Sequence, residues 1–277
     1  MLSKLIKSFF QNDYFISMCS GAWLMATASL FTPEIDEVVL LLGLLYFCST
    51  LIIYNFDRLF GDNWNELKQF IKTPKWKLLP QKARANLRFQ PLFLALLFWA
   101  LFQVPKSFIL SLIPAFLVAF FYAIPVLGVN KRPRDVPFLK IFLIAFVWSW
   151  ITTMPFGEFG NWETNCWSMF GSRFCFIFAI TVPFDLRDTD FDQSQNTKTL
   201  AHILGTKWAV GISILSLICG MGLNYLGKAP DHIAHVFTSL VALVIVVFWN
   251  KNRPYYYYLF FLDGCILLHA ILIWFLN

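Results

Sequence analysis

Four aspartates, Asp185, Asp188, Asp190 and Asp192, fall within PFDLRDTDFD, directly after the apolar run FCFIFAITV. Carboxylates at the C-terminal end of a helix face the negative pole of its dipole, so gathering them there calls for a compensating positive charge. If the helix of the apolar run continues, Asp185, Asp188 and Asp192 share one face at about 3.6 residues per turn, and Asp190 points away. Carboxylates that share a face without His or Cys suit a hard, oxygen-seeking ion, Mg2+ rather than Zn2+. Mg2+ commonly keeps waters and bridges carboxylates to phosphate oxygens, so the chemistry indicated is metal-assisted handling of a phosphate or diphosphate. The alternative is a solvated acidic helix end, against which self-repulsion and the dipole both count.

A second polar cluster, YNFDRLFGDNWNE, closes an earlier apolar run. Asn55, Arg58, Asp62 and Glu66 share a helical face there, with Asp57 nearly opposite, provided that Gly61 does not break the helix. A third stretch, YAIPVLGVNKRPR, begins at Tyr122 and supplies Lys131 and Arg132. Such bases serve as topology determinants. Beside two acidic clusters, and together with Arg187 and Lys198, they also suit a diphosphate.

The elements that must position these residues are membrane spans. The chain has 277 residues, 58% hydrophobic and 14% charged, where a soluble domain carries about a quarter charged. The apolar excess arrives in long uncharged runs, and about nine of these read as spans. They lie near 14–32, 38–57, 90–104, 107–127, 137–156, 168–185, 207–226, 233–250 and 255–276. Alternating strands are absent from the pattern, so the expected fold class is an all-α polytopic membrane protein in one domain over 1–277. With the N-terminus cytoplasmic, the bases collect on the inside, while the short outer loops are acidic. The net charge of +6 is then a topology signal and not a nucleic-acid footprint. The long basic loop 58–89 is read either as an amphipathic segment on anionic membrane lipid or as a lid over a cytoplasmic site.

Together these stretches resemble the UbiA superfamily of intramembrane prenyltransferases, whose two Asp-rich motifs lie at the cytoplasmic ends of the second and sixth of nine helices. Asp185-x-x-Asp188-x-x-x-Asp192, followed by Lys198-Thr199-Leu200 and Leu204-Gly205, is similar to the second motif. Tyr122-x-x-Pro125 and then Lys131-Arg132 resemble the Y-x-x-P and K-R that follow that family's fourth span. The first motif, N-D-x-x-D-x-x-x-D, is altered: after Asn55 its acidic positions hold Phe56, Leu59 and Asn63, with Asp57 and Asp62 each one residue out of register. The resemblance implies a bundle around a central chamber open to the cytoplasm. Mg2+ would be held by Asp185, Asp188 and Asp192 with Asn55, Asp57 and Asp62. The diphosphate of an allylic prenyl donor would meet Asn55, Arg58, Tyr122, Lys131, Arg132, Arg187 and Lys198. The implied activity is transfer of the isoprenoid to an aromatic or other lipophilic acceptor. Terpene cyclisation in the same fold is the alternative; a lipid or ion transporter and a non-catalytic isoprenoid binder are further ones.

Other polar residues stay open. Asp263 lies inside the last apolar run, where a carboxylate is either functional or paired with a neighbouring helix. His232 and His235 share a helical face but lack a third metal ligand, and His269 reads as a packing or hydrogen-bonded histidine. Cys166 and Cys175 are candidates for pairing in an oxidising outer compartment. The run Tyr255–Tyr258 reads as an interfacial aromatic belt.

Overall fold

The computed structural model describes residues 9–10, 13–31, 37–60, 81–123, 133–136, 138–157, 164–194 and 203–276, and no strand occurs among them. The apolar runs form helices because in hydrocarbon each segment must satisfy its own backbone polar groups. In chain order the helices are α1 Tyr14–Ser29, α2 Glu37–Phe60, α3 Gln81–Gln103, α4 Lys106–Ser111 and α5 Ile113–Ala123. After them come α6 Leu139–Thr153, α7 Thr164–Ser194, α8 Thr206–Leu226, α9 His232–Val247 and α10 Asp263–Leu276. A helical turn, Tyr255–Tyr257, and a π-helical stretch, Tyr258–Leu262, lead into α10.

Five stretches among the described residues are long and apolar enough to cross a membrane: Glu37–Phe56, Leu139–Phe156, Asn165–Thr189, Thr206–Leu226 and Tyr258–Leu276. Phe89–Gln103, Ile113–Tyr122 and His232–Val247 are shorter apolar helices at further expected span positions. Phe102, Leu226 and Phe275 are 86%, 79% and 83% exposed, an outward apolar surface that hydrocarbon would cover.

Two expected boundaries shift. α3 begins at Gln81, so much of the tail of the expected 58–89 loop is helix. QKARANLR is rich in helix formers, and Pro80 stands just before it, but its charge hides it from a reading based on hydropathy. The expected span 107–127 is broken between α4 and α5. Pro114 is the second residue of α5, where a missing N–H costs no helical hydrogen bond, and the Trp150 indole donates to the Ser111 carbonyl at the end of α4, at 2.8 Å.

α7 packs against α6 and α8, α1 against α2 and α10, and α9 against α8 and α10. Small residues allow the close contacts: a Cβ on Gly21 of α1 would lie 2.7 Å from the Gly43 carbonyl oxygen of α2. Without a hydrophobic drive between helices in lipid, such close backbone packing and buried polar bonds hold the bundle.

Two polar devices stand out. Pro183 lies inside α7 and cannot donate to the Ala179 carbonyl four residues earlier. The Ser213 hydroxyl of α8 donates to that carbonyl instead, at 2.7 Å. The second device is Arg173 of α7, fully buried at 0% exposure. Its Nε and Nη2 donate to Asp231 Oδ2 at 3.2 and 2.8 Å, and its Nη1 donates to Thr27 Oγ1 and the Thr152 carbonyl, each at 2.8 Å. The Trp23 ring lies 4.9 Å from the guanidinium carbon. Asn224 Nδ2 donates to Asp231 Oδ1 at 2.9 Å. Burial alone would raise the Asp231 carboxyl, but the Arg173 guanidinium beside it overrides this and holds it below the usual carboxylate range.

Ser213→Ala leaves the Ala179 carbonyl without a donor and should cost about 1–3 kcal/mol, read as a lower unfolding midpoint in detergent. Arg173→Met strands the Asp231 carboxylate and should cost roughly 3–5 kcal/mol. The double variant Arg173→Met/Asp231→Leu should recover part of that loss in the same measurement.

Candidate functional site

The Asp-rich stretch lies on α7, which continues unbroken to Ser194. At about 100° per residue, the positions of Asp185, Asp188 and Asp192 fall on one face and that of Asp190 falls away from it. Of Asp192 the backbone alone is described. Asp185 is buried, and Lys140 Nζ from the start of α6 approaches its Oδ1 to 3.8 Å. The Thr189 hydroxyl donates to the carbonyls of Asp185 and Leu186, at 3.1 and 2.8 Å.

Arg187 turns its fork onto the neighbouring carboxylate: Nε donates to Asp188 Oδ1 at 2.6 Å and Nη2 to Oδ2 at 2.8 Å. The guanidinium rides over two rings, 4.8 Å from the centroid of Tyr258 and 5.3 Å from that of Phe184. A cation over aromatic faces keeps its charge while losing water. Tyr258 is therefore not a member of an interfacial belt. It is 0% exposed and lies under Arg187, whereas Tyr256 is 40% exposed. A run of tyrosines carries no signal of which one turns inward.

On α2, Asn55 is buried and its Nδ2 donates to the Leu51 carbonyl at 2.8 Å, while Phe56 is 40% exposed. Tyr54, beside Asn55, packs against the same core as Phe184, Leu186 and Tyr258. Asp57 and Arg58 are described by their helical backbone alone, and Asp62 lies outside the described residues. Tyr122 ends α5 with the Arg134 guanidinium 5.7 Å from its ring centroid. Lys131, Arg132 and Lys198 lie outside the described residues. The structure thus gathers Asp185, Arg187 and Asp188 with Lys140 and Tyr258, and joins Tyr122 to Arg134. Lys140 and Tyr258 carry no motif signal; their place comes from packing between helices.

The donor set at the end of α7 is carboxylate oxygen, with Lys140 and Arg187 alongside. That chemistry fits a hard divalent cation shared with an anionic ligand. Asp263 opens α10 as a half-buried residue at the end of the π-helical stretch. All six cysteines are free. Cys166 and Cys175 stand nine residues apart on α7, a rise of about 13.5 Å, beyond the reach of a disulfide.

A helical bundle with this outward apolar surface is a multi-pass integral membrane protein. Its fold is that of UbiA homologues. A UbiA homologue from Archaeoglobus fulgidus superposes with TM-score 0.61 at 14% identity, over 96% of this chain and 97% of that one. A structure of the A. fulgidus homologue bound to GPP and Mg2+ gives TM-score 0.54 at 15% identity, over 94% and 98%. A structure described for digeranylgeranylglyceryl phosphate synthase gives TM-score 0.56 at 16% identity, over 98% and 97%. No protein-family model and no curated protein sequence matches the chain.

Tyr258→Leu removes the ring beneath Arg187, while Tyr258→Phe keeps it. The Leu variant should be about 1–2 kcal/mol less stable than the Phe variant, measured as the difference between their unfolding midpoints.

Proposed function

We propose that the protein is a Mg2+-dependent prenyltransferase, moving an isoprenoid group from an allylic prenyl diphosphate to an aromatic or other lipophilic acceptor within the membrane. One observation carries this reading. The end of α7 bearing Asp185, Asp188 and Asp192 beside Lys140 and Arg187 occurs in a fold whose solved examples include complexes with GPP or DMAPP and Mg2+.

In this reading Asp185, Asp188 and Asp192 hold Mg2+, with Asn55, Asp57 and Asp62 as the second donor group. Mg2+ held there would supply positive charge to a diphosphate leaving group. The Arg187 fork, which now holds Asp188, has planar donors that suit diphosphate oxygens, and turning to them would free the Asp188 carboxylate as a ligand. Arg58, Lys131, Arg132 and Lys198 add positive charge, and the Tyr122 hydroxyl donates to the same anion. Aromatic faces lining the chamber keep the allylic cation from water. The excess of bases on one side of the spans puts the N-terminus and the Asp-rich ends in the cytoplasm, with nine helical segments crossing the membrane and 1–277 forming one domain. The basic segment after α2, residues 61–80, lies outside the described residues.

Phe56 favours a second reading. It stands where the family's first motif has an acid, and it is 40% exposed on α2. A weaker second donor group suits a terpene cyclase, in which the donor's own distant double bond attacks the allylic cation and a proton is then lost. Both readings share the diphosphate site.

Purified protein should consume an allylic prenyl diphosphate with Mg2+ and not with EDTA. Asp188→Ala and Asp192→Ala should each lower turnover by at least about a hundredfold. Retained turnover in both variants would remove the site assignment. A panel of diphosphates with and without aromatic acceptors separates the readings: an acceptor-linked product marks transfer, and a cyclic product without acceptor marks cyclisation.

A further inference from the structure

Away from the Asp-rich end of α7, a second set of metal-ligating side chains is buried around Arg173. Arg173 precedes Asp185 by twelve residues, about 18 Å along the helix. We propose that Asp231, His235 and His269 form a site for a divalent transition-metal ion of the Zn2+ kind, distinct from the oxygen-donor end of α7.

Each of the three offers a ligand atom, and these atoms all lie within 4.8 Å of one another. Asp231 and His235 are 1% exposed and His269 is 0% exposed. Among the described residues, neither ring nitrogen of His235 or of His269 has a hydrogen-bond partner, nor has the Ser239 hydroxyl one helical turn beyond His235. His269 Nε2 lies 3.6 Å from Asp231 Oδ2, too far for a hydrogen bond. The two imidazole rings meet edge to face at 5.4 Å. Buried imidazole nitrogens without a partner among the described residues are expensive to leave unmatched, and a metal ion would take the lone pair of one nitrogen on each ring, leaving the other as N–H. Two imidazoles and one carboxylate are a Zn2+ or related donor set. Mg2+ prefers oxygen and retained water.

The surroundings support the carboxylate as a ligand. Hydrogen bonds from Arg173 and Asn224 use three of its roughly four lone-pair directions, leaving one and fixing its orientation. The Arg173 charge opposes a second cation, so affinity must come from the imidazoles, and this again selects a borderline-soft ion. His232 is not a ligand: its Nδ1 lies 3.1 Å from Asn224 Oδ1.

The test uses the full chain in detergent, stripped with chelator, equilibrated with Zn2+ or with Mg2+ and dialysed. Metal is measured by mass spectrometry and Zn2+ coordination by X-ray absorption. The expected result is one retained Zn2+ per chain, no retained Mg2+, and an absorption spectrum showing two imidazoles and no sulfur. Asp188→Asn should keep the Zn2+, which separates this site from the proposed diphosphate site. His235→Gln/His269→Gln should retain at least tenfold less, with an unchanged gel-filtration profile. Zn2+ content no higher than the buffer blank, equal retention in the double variant, or sulfur coordination would each overturn the proposal. Should the double variant fail to fold, the wild-type absorption spectrum decides alone.

Discussion

The buried pair of Arg173 and Asp231 is the constraint on which the rest of the bundle depends. A guanidinium at 0% exposure cannot stay charged among apolar side chains unless its donors are satisfied. Four hydrogen bonds do this, and they reach α1 through Thr27, the end of α6 through Thr152 and the turn after α8 through Asp231. Asn224 extends the network to α8. Sliding any of these helices by a residue would break a charge-assisted bond between side chains buried from solvent. The pair therefore fixes helix register more than it adds net stability.

Pinning α7 at Arg173 has consequences at its other end. The helix runs from that pin through Pro183 to the aspartates, and a proline inside a helix ordinarily opens a gap in the backbone ladder. Here the gap is closed from α8 by Ser213 on the Ala179 carbonyl. The direction in which Asp185 and Asp188 leave the bundle is thus set by two contacts with neighbouring elements, not by helix propensity. Lys140 on α6, the helix before α7, and Tyr258 before α10, distant in sequence, complete the surroundings.

What could be read from the sequence follows the same division between local and non-local causes. The shared face of Asp185, Asp188 and Asp192 was legible because helical period alone decides it, once the apolar run is taken as a helix. The start of α3 at Gln81 was hidden because hydropathy discounts a charged helical turn, and Pro114 vanished into an apolar average although proline suits the first turn of a new helix. Tyr258 could not be told from its three tyrosine neighbours, because a π-helical stretch resets which of them turns inward. His269 read as packing and Asp231 carried no signal, since their meeting depends on α9 and α10 lying side by side. Local period predicts faces; it does not predict which faces meet.

Asn55 spends an amide N–H on Leu51 within its own helix, and Phe56 offers no oxygen. Under the proposed function the second motif then carries more of the metal's charge, and Arg187 has two tasks in sequence. Before ligand arrives it neutralises Asp188, relieving the repulsion that adjacent carboxylates create at the negative end of α7. On binding it can transfer the same charge to diphosphate without moving far, because Tyr258 and Phe184 support the guanidinium from below. The positive charge that the aspartates call for is thus built in part into the residue beside Asp188, and under the proposed function a metal would replace it when an anion is there to receive the arginine.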